Sequence, residues 1–275
     1  MKSLQQQMKE KIVVITGGNR GIGSGCARAF CEHGATVLIA ARDRDRGQPL
    51  AAELSEQTEG SCEFHRCDVS QPDQVAQLVE YAVRRYGRLD CMINNAGYLP
   101  RRRSIDEISM EDFDHLLKTN LLGVFAGCKY SLPHLRRSRG CIINMSSILG
   151  VAGQEGSSIY CATKGAITSL TKSLAIDEAA NGVRVNAVLP GNIRSELGMA
   201  HRDGSIDPQR AAEVSNKTQW IRRQGEPLDI GRACVFLASD MAAYITGAEI
   251  CITGGFELGN GLRLNMQELR RYMDS

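Results

Sequence analysis

The sequence predicts an α/β fold: a single domain with a doubly wound parallel sheet of about seven strands and helices on both faces. Three observations lead to this prediction. Short apolar runs rich in Val and Ile recur along the chain, longer segments of helical period separate them, and a glycine-rich turn follows the first run. Buried parallel strands are typically such apolar runs, and the amphipathic helices between them cover both faces of the sheet.

The predicted strands alternate with predicted helices along the whole chain. The strands span residues 11–16, 36–40, 62–66, 89–94, 140–146, 182–190 and 248–253. The helical segments end in glycine, as in 23–34, 74–87 and 169–182. Right-handed crossovers between parallel strands then give a Rossmann-type fold. Because no Pro/Ser-rich linker or internal repeat divides residues 1–275, we expect one domain.

Composition and charge argue against several classes of function. The 275 residues are 43% hydrophobic and 23% charged, which is ordinary for a soluble globular protein. The 33 basic and 31 acidic side chains leave a formal net charge of +2, so neither nucleic acid nor an anionic membrane is an expected partner. The N-terminus lacks the apolar core of a signal peptide, and no apolar run is long enough to span a bilayer. We therefore expect a cytosolic protein that acts on a small molecule.

The ten cysteines do not form the spacings of a metal site. No Cys-x-x-Cys pair is present, and several cysteines fall inside apolar runs such as "RLDCMINN" and "CIINMSS". This pattern is typical of small buried hydrophobic residues in a reducing compartment. We expect neither a disulfide nor a bound metal.

The glycine-rich turn after the first strand predicts a dinucleotide site. Its sequence, "VVITGGNRGIGSG", leads from the strand directly into the first helix. Such a turn lets the backbone approach a pyrophosphate, whose negative charge the helix N-terminus favours. The residues expected to bind the cofactor here are Gly17, Asn19, Arg20, Gly21, Ile22 and Gly23.

The end of the second strand favours NADP(H) over NAD(H). A carboxylate at this point accepts hydrogen bonds from the adenosine ribose of NAD, whereas an arginine accommodates the 2′-phosphate of NADP. This chain has Ala41 in the place of the carboxylate, followed by Arg42, and Arg20 is available from the glycine turn. Asp43 comes one residue later, and a shifted turn would bring it back to the ribose. NAD(H) is therefore the alternative.

Tyr160 and Lys164 are the first candidates for catalysis. They lie four residues apart in "SIYCATKGAITSL", so a helix would place both on one face. A surface pair whose stems pack on a neighbour is the ordinary interpretation of this spacing. The other motifs of the chain favour a catalytic pair.

Seven motifs in a fixed order carry a family resemblance. They are "TGGNRGIG", "CDVS" at 67–70, "NNAG" at 94–97, Asn120 in "KTNLLG", Ser147, Tyr160-x-x-x-Lys164 and "PGNI" at 190–193. Ser147 precedes Tyr160 by 13 residues. Over residues 11–259 the chain resembles the short-chain dehydrogenase/reductase superfamily. Within it, "GRLDCMINNAG" and "TGGFELGNG" are similar to 17β-hydroxysteroid dehydrogenases of the type also described as L-fucose dehydrogenases, which are NAD-dependent.

The resemblance implies an oxidoreductase that interconverts a secondary alcohol and a ketone. Tyr160 would be the acid and base, and the Lys164 ammonium would lower the phenol pKa and hold the nicotinamide ribose. Ser147 would hydrogen-bond the carbonyl oxygen, and Asn120 would hold a water that relays protons to Lys164. The expected substrate is a 17β-hydroxysteroid, with a sugar such as L-fucose or a general carbonyl compound as alternatives.

Further contacts follow from the same resemblance, residue by residue. The remaining cofactor contacts are Asp68, Val69, Asn95, Ala96, Gly97, Pro190, Gly191, Ile193 and Ser195. The expected substrate contacts, besides Ser147 and Tyr160, are Tyr98, Leu99 and Gln154. Arg101–Arg103 either rim the substrate entrance and attract an anion or form a solvated loop.

Two segments and one alternative complete the predictions. Residues 192–227 lack a strand signal and are expected to form a lid over the substrate. The resemblance implies a homo-oligomer, a tetramer or dimer, whose tail at 256–275 approaches a neighbour's site. A catalytically silent, dinucleotide-binding scaffold is the rival class of function, but scaffolding requires none of Asn120, Ser147, Tyr160 and Lys164.

Overall fold

Seven parallel strands form one sheet in the computed structural model, which describes residues 7–195, 216 and 219–259. The strand order is β3-β2-β1-β4-β5-β6-β7, which confirms the doubly wound prediction. The strands are β1 Ile12–Thr16, β2 Thr36–Ala41, β3 Ser61–Arg66, β4 Cys91–Asn94, β5 Cys141–Met145, β6 Arg184–Pro190 and β7 Glu249–Ile252.

Helices connect these strands and cover the sheet. They are α1 Gly21–Glu32, α2 Arg44–Gln57, α3 Pro72–Tyr86, α4 Met110–Leu117, α5 Gly123–Ser138, α6 Ser158–Glu178 and α7 Pro227–Ala238. A π-helical turn, Lys118–Leu122, joins α4 to α5. The boundaries of α3 show how the sequence sets them: Pro72 occupies the first turn, and Gly87 ends the helix with a left-handed φ of 79°.

The core consists of two apolar clusters, one on each face of the sheet. Because side chains alternate along a strand, Val13 and Ile15 point into one cluster and Val14 into the other. The first cluster packs against α1 and α7, and the second packs against α3, α5 and α6. Each such side chain contributes about 1.5–3 kcal/mol when fully buried, so the two clusters fix the sheet between its helix layers.

All seven strands end at the same edge of the sheet because they run parallel. The register pairs Asn94 at the end of β4 with Asn144 on β5, and Thr16 on β1 with Ala40 on β2. The segments that follow β1, β2, β4, β5 and β6 therefore meet at this carboxyl edge, where ligands bind in open α/β sheets. Most of the predicted site residues belong to these segments.

Cysteine burial follows the sequence prediction with one exception. Seven of the ten cysteines are buried and two are partly buried, and all ten are free thiols. Cys251 is exposed, because β7 is the outermost strand of the sheet. Within the described ranges, no group of three or more His, Cys, Asp or Glu is arranged to hold a metal ion.

Two predicted segments fall mainly outside the described residues. Residues 196–215 and 217–218 belong to the predicted lid at 192–227, and residues 260–275 belong to the predicted tail at 256–275. Both therefore stay predictions. In the part of the chain that the structure describes, every helix is too short or too polar to cross a bilayer.

Candidate active site

A single cavity of about 1490 Å³ runs along the carboxyl edge of the sheet. Every residue predicted to bind the cofactor lines it, from the glycine turn through Asp68 and Asn95 to Ser195. The predicted substrate contacts Tyr98, Leu99 and Gln154 also line it, as do Ser147, Tyr160 and Lys164. Of the predicted site residues, only Asn120 lies behind its wall.

The glycine turn leaves no room for side chains where the backbone must approach a ligand. Gly17 has a left-handed φ of 62°, and a Cβ there would lie 2.9 Å from the Cα of Ala96. A Cβ on Gly23 would lie 2.1 Å from the Gly17 carbonyl oxygen, so α1 starts directly against the turn. No side chain caps α1, and its first turn holds no acidic residue. Its terminal N–H groups suit a pyrophosphate.

A hydrogen-bond cluster ties the turn after β1 to the turn after β4. The Thr16 hydroxyl accepts from the backbone N–H of Asn95 at 3.0 Å and of Ala96 at 3.1 Å. The Asn95 side-chain amide donates to the carbonyl oxygens of Thr16 at 2.9 Å and Gly17 at 3.1 Å. The "NNAG" segment therefore holds the glycine turn in place.

At the adenosine end, the carboxylate of Asp43 is engaged within its own helix. It accepts from the backbone N–H of Arg46 at 3.2 Å as the N-cap of α2, and it pairs with the Arg46 guanidinium at 3.5 Å. The Asn19 amide donates to the Asp43 carbonyl oxygen at 3.3 Å. Arg42 is exposed and lines the cavity beside Ala41. Asp43 and Arg42 both line this part of the cavity, but the Asp43 carboxylate is already engaged by Arg46.

Asp68 is also held by local hydrogen bonds at the end of β3. Its carboxylate accepts from the backbone N–H of Ser70 at 3.0 Å and from the Ser70 hydroxyl at 2.8 Å. Its own N–H donates to Gln74 at 2.9 Å. The loop that carries Asp68 and Val69 is thereby fixed as part of the cavity wall, and the predicted contact with the adenine stays a prediction.

Ser147 and Tyr160 both line the other end of the cavity, where Ser147 is close enough to lower the pKa of the Tyr160 phenol. Ser147 follows β5, and its hydroxyl accepts from the backbone N–H of Leu149 at 3.1 Å, which sets its orientation. Tyr160 is the third residue of α6. A carbonyl oxygen placed between the two hydroxyls would receive a hydrogen bond from each.

Lys164 lies one turn further along α6, as the sequence spacing predicts. Its Nζ is 5.7 Å from the centroid of the Tyr160 ring and donates to the carbonyl oxygen of Met145 at 2.8 Å. A Cβ on Gly97 would lie 3.7 Å from this Nζ. The ammonium is thus buried between the ends of β4 and β5 and α6.

Burial shifts the pKa values of both catalytic candidates. It raises the pKa of the Tyr160 phenol to about 12, against a smaller lowering by the Ser147 hydrogen bond. It lowers the pKa of Lys164 to about 8. We expected the ammonium to lower the phenol pKa; the net shift is in the opposite direction, because burial is its largest cause. Near neutral pH the phenol carries its proton.

Asn120, expected to hold a water that relays protons to Lys164, lies behind the cavity wall. It is fully buried in the π-helical turn. Its side-chain oxygen accepts from the Tyr98 N–H at 3.0 Å, and its amide donates to the Tyr98 carbonyl oxygen at 2.9 Å. Asn120 therefore positions the backbone of the loop after β4. The water relay to Lys164 stays a prediction.

The structure adds residues that sequence reasoning missed. His115 on α4 lines the cavity and packs against the Tyr98 ring with centroids 5.5 Å apart. Thr119, Asn192 and Phe256 line it as well. A histidine on an amphipathic helix has the ordinary pattern of a solvent-facing residue, so no signal in the sequence distinguishes His115.

Comparisons with known proteins agree with this geometry. A family model described as enoyl-(acyl carrier protein) reductase matches residues 17–257. An L-fucose dehydrogenase of Oryctolagus cuniculus is 46% identical, covering 91% of this chain and 86% of that protein. An L-fucose dehydrogenase of Bos taurus is 45% identical, covering 91% of each.

A solved structure shares the whole architecture. The crystal structure of levodione reductase superimposes with a TM-score of 0.88 at 28% identity, covering 92% of this chain and 99% of that one. With the family model and the 46% identical relative, this shows that the chain is an NAD(P)-dependent oxidoreductase and belongs to the short-chain dehydrogenase/reductase superfamily.

Proposed function

We propose that the protein interconverts a secondary alcohol and a ketone on a sugar-like substrate, with Tyr160 as the acid and base. One observation carries the proposal: Tyr160 lies beside Ser147 and has Lys164 one turn away, all at one end of a cavity whose glycine turn suits a dinucleotide. When bound, the nicotinamide supplies or accepts the hydride. The protein must then donate a proton to the substrate oxygen, or accept one from it.

Three side chains share this task. In the direction of ketone reduction, the Tyr160 hydroxyl donates its proton to the carbonyl oxygen, and in alcohol oxidation it receives the proton back. The Ser147 hydroxyl donates a hydrogen bond to the same oxygen as negative charge develops on it. The Lys164 ammonium favours the phenolate form of Tyr160 in the intermediate stages, since opposite charges attract strongly at a buried site.

NADP(H) is the proposed cofactor, with NAD(H) as the alternative. Two observations support this choice. Ala41 offers no carboxylate to a ribose, and the Asp43 carboxylate is used as the N-cap of α2. The exposed guanidinium of Arg42 lines the same part of the cavity and would face a 2′-phosphate.

The sugar is proposed over the steroid as the substrate class. Two relatives at 46% and 45% identity are named L-fucose dehydrogenases, and neither name is that of a steroid dehydrogenase. The polar side chains of His115 and Gln154 line the cavity, together with the apolar Leu99, Ile148 and Leu149. Hydrogen-bonding side chains of this kind suit hydroxyl groups on a substrate. A general carbonyl reductase is the second candidate.

The first experiment separates cofactor binding from chemistry. Purified protein is titrated with NADPH and NADH by nicotinamide fluorescence, and turnover is measured with a panel of sugars and ketones. We expect micromolar binding and turnover that Tyr160→Phe abolishes. If neither cofactor bound at micromolar concentration, the proposal would fail. The homo-oligomer and the cytosolic location stay predictions; light scattering of the purified protein tests the first.

A further inference from the structure

The loop after β4 brings two arginines to the substrate end of the cavity. Arg101 and Arg102 line the cavity beside Tyr98, Leu99 and Gln154. Both are exposed, and no described carboxylate lies within ion-pair distance of either one. Their charges are therefore available to a ligand.

This loop is held in place by its third arginine. The Arg103 guanidinium pairs with Asp112 on α4 at 2.7 Å, and its backbone N–H donates to the Gly156 carbonyl oxygen at 3.0 Å. Gly156 has a left-handed φ of 69°, and a Cβ there would lie 2.9 Å from the Cβ of Arg102. The loop thus packs tightly against the segment that carries Gln154, which fixes Arg101 and Arg102 at the rim.

The acidic residues of the cavity lie at its far end. Among the described residues that line it, the carboxylates are Asp43 and Asp68, which follow β2 and β3. These strands lie three and four positions from β5, which is about 14 and 19 Å at the usual strand spacing. The Asp112 carboxylate near the substrate end is neutralised by Arg103. The substrate end therefore carries the cations Arg101, Arg102 and Lys164 without a lining carboxylate.

We infer that the substrate is an anionic sugar, whose carboxylate or phosphate group is bound by Arg101 and Arg102 while Tyr160 exchanges a proton with the reacting hydroxyl oxygen. This rests on the proposed function and specifies its substrate class. The planar guanidinium presents paired N–H donors that match both oxyanions. A neutral sugar would use neither charge, so the two arginines discriminate in favour of the anion.

The test compares three hexoses of one ring stereochemistry that differ at carbon 6. L-Fucose carries a methyl group there, L-galacturonate a carboxylate and L-galactose 6-phosphate a phosphate. Binding to the enzyme with its reduced cofactor is followed by the fluorescence of the bound nicotinamide, which requires no turnover. We expect at least one anion to bind about tenfold or more tightly than L-fucose, and added salt to reduce this preference. The anion that binds tighter identifies the oxyanion.

Arginine variants provide the controls. Arg101→Gln/Arg102→Gln should reduce the binding of the anion to the level of L-fucose, and Arg101→Lys/Arg102→Lys should restore part of the preference. Arg84→Gln, which removes an exposed cation of α3 that does not line the cavity, should keep the preference.

Three outcomes would overturn the inference. L-Fucose could bind as tightly as both anions, or the double glutamine variant could weaken the binding of all three hexoses equally. In the third outcome the enzyme binds its cofactor but none of the three hexoses, which would overturn the inference and leave the proposed oxidoreductase intact. Failure of both cofactors to bind would instead count against the proposed function itself.

Discussion

The hydroxyl of Thr16 accepts hydrogen bonds from the backbone N–H groups of both Asn95, at 3.0 Å, and Ala96, at 3.1 Å. One side-chain oxygen at the end of β1 therefore satisfies two donors of the segment that follows β4. Thr16 is 2% exposed, so water cannot replace it. The relationship couples the shape of the glycine turn to that of the loop that leads to the substrate end.

Replacing Thr16 by valine should destabilise the protein. The shape is retained, but the Ala96 N–H loses its acceptor and the Asn95 N–H keeps only the Ile93 carbonyl oxygen at 3.1 Å. Because a buried N–H without an acceptor costs about 1–3 kcal/mol, we expect a drop of about 1–3 kcal/mol in the free energy of unfolding, measured with urea, and weaker dinucleotide binding. Thr168→Val is the matched control: its hydroxyl donates only to a carbonyl within its own helix, and it is 4% exposed. Equal losses from both variants would refute the coupling.

Replacing Tyr160 by phenylalanine should strongly reduce turnover and leave the binding of the cofactor nearly unchanged. Loss of a general acid lowers turnover by about 10²- to 10⁴-fold. The ring remains, so we expect the dissociation constant of the cofactor to change by less than about threefold, a difference of under 1 kcal/mol. Tyr130→Phe, remote from the cavity, serves as the control. Turnover by Tyr160→Phe at the wild-type rate would exclude Tyr160 as the acid.

Substitutions at the end of β2 should move the cofactor preference. Arg42→Gln removes the cation expected at the 2′-phosphate and should weaken NADPH binding by about tenfold, since a charged hydrogen bond is worth about 1.5–3 kcal/mol. NADH binding should be unaffected. Ala41→Asp should shift the preference toward NADH. Arg44→Gln, at an arginine that does not line the cavity, is the control, and fluorescence titration measures all four proteins. An unchanged NADPH affinity in Arg42→Gln would assign the phosphate contact elsewhere.

The buried ammonium of Lys164 makes stability depend on pH in a defined direction. Burial lowers its pKa from 10.5 to about 8, so between these values the unfolded chain holds this proton more tightly than the folded one. The wild type should therefore gain stability relative to Lys164→Met as the pH rises from 8 to 10.5, by about 3 kcal/mol in total. Urea unfolding of both proteins with reductant, at pH 7, 8, 9 and 10.5, measures the gain. A difference that stays constant across this range would show that the ammonium is well solvated.

The sheet could be predicted from the sequence because its signal is local. Each predicted strand is found within about two residues, since buried parallel strands are apolar runs that one window of sequence reveals. The helix at Arg44–Gln57 carries a weaker pattern and was not predicted in detail: Pro49 and several charged residues interrupt its apolar face.

The placement of a site residue was predictable where a local sequence motif determines it. It was less predictable where contacts between distant segments determine the partners of a side chain. Tyr160 and Lys164 lie together because both are on one helix. The role of Asp43 as a helix cap, and the contacts of Asn120 with the Tyr98 backbone, depend on packing between distant segments. The pKa of Tyr160 moves opposite to the expectation for the same reason, since burial is a property of the folded chain.

The position of the cavity along the sheet edge has a consequence for engineering. Arg42 follows β2 and Ser147 follows β5, so about 14 Å of sheet separates the residue proposed to distinguish the two cofactors from the residue proposed to contact the substrate. Free-energy changes at sites more than about 7–10 Å apart usually add. Substitutions that change the nucleotide and substitutions that change the substrate can therefore be selected separately. When they are combined in one protein, we expect their effects to add.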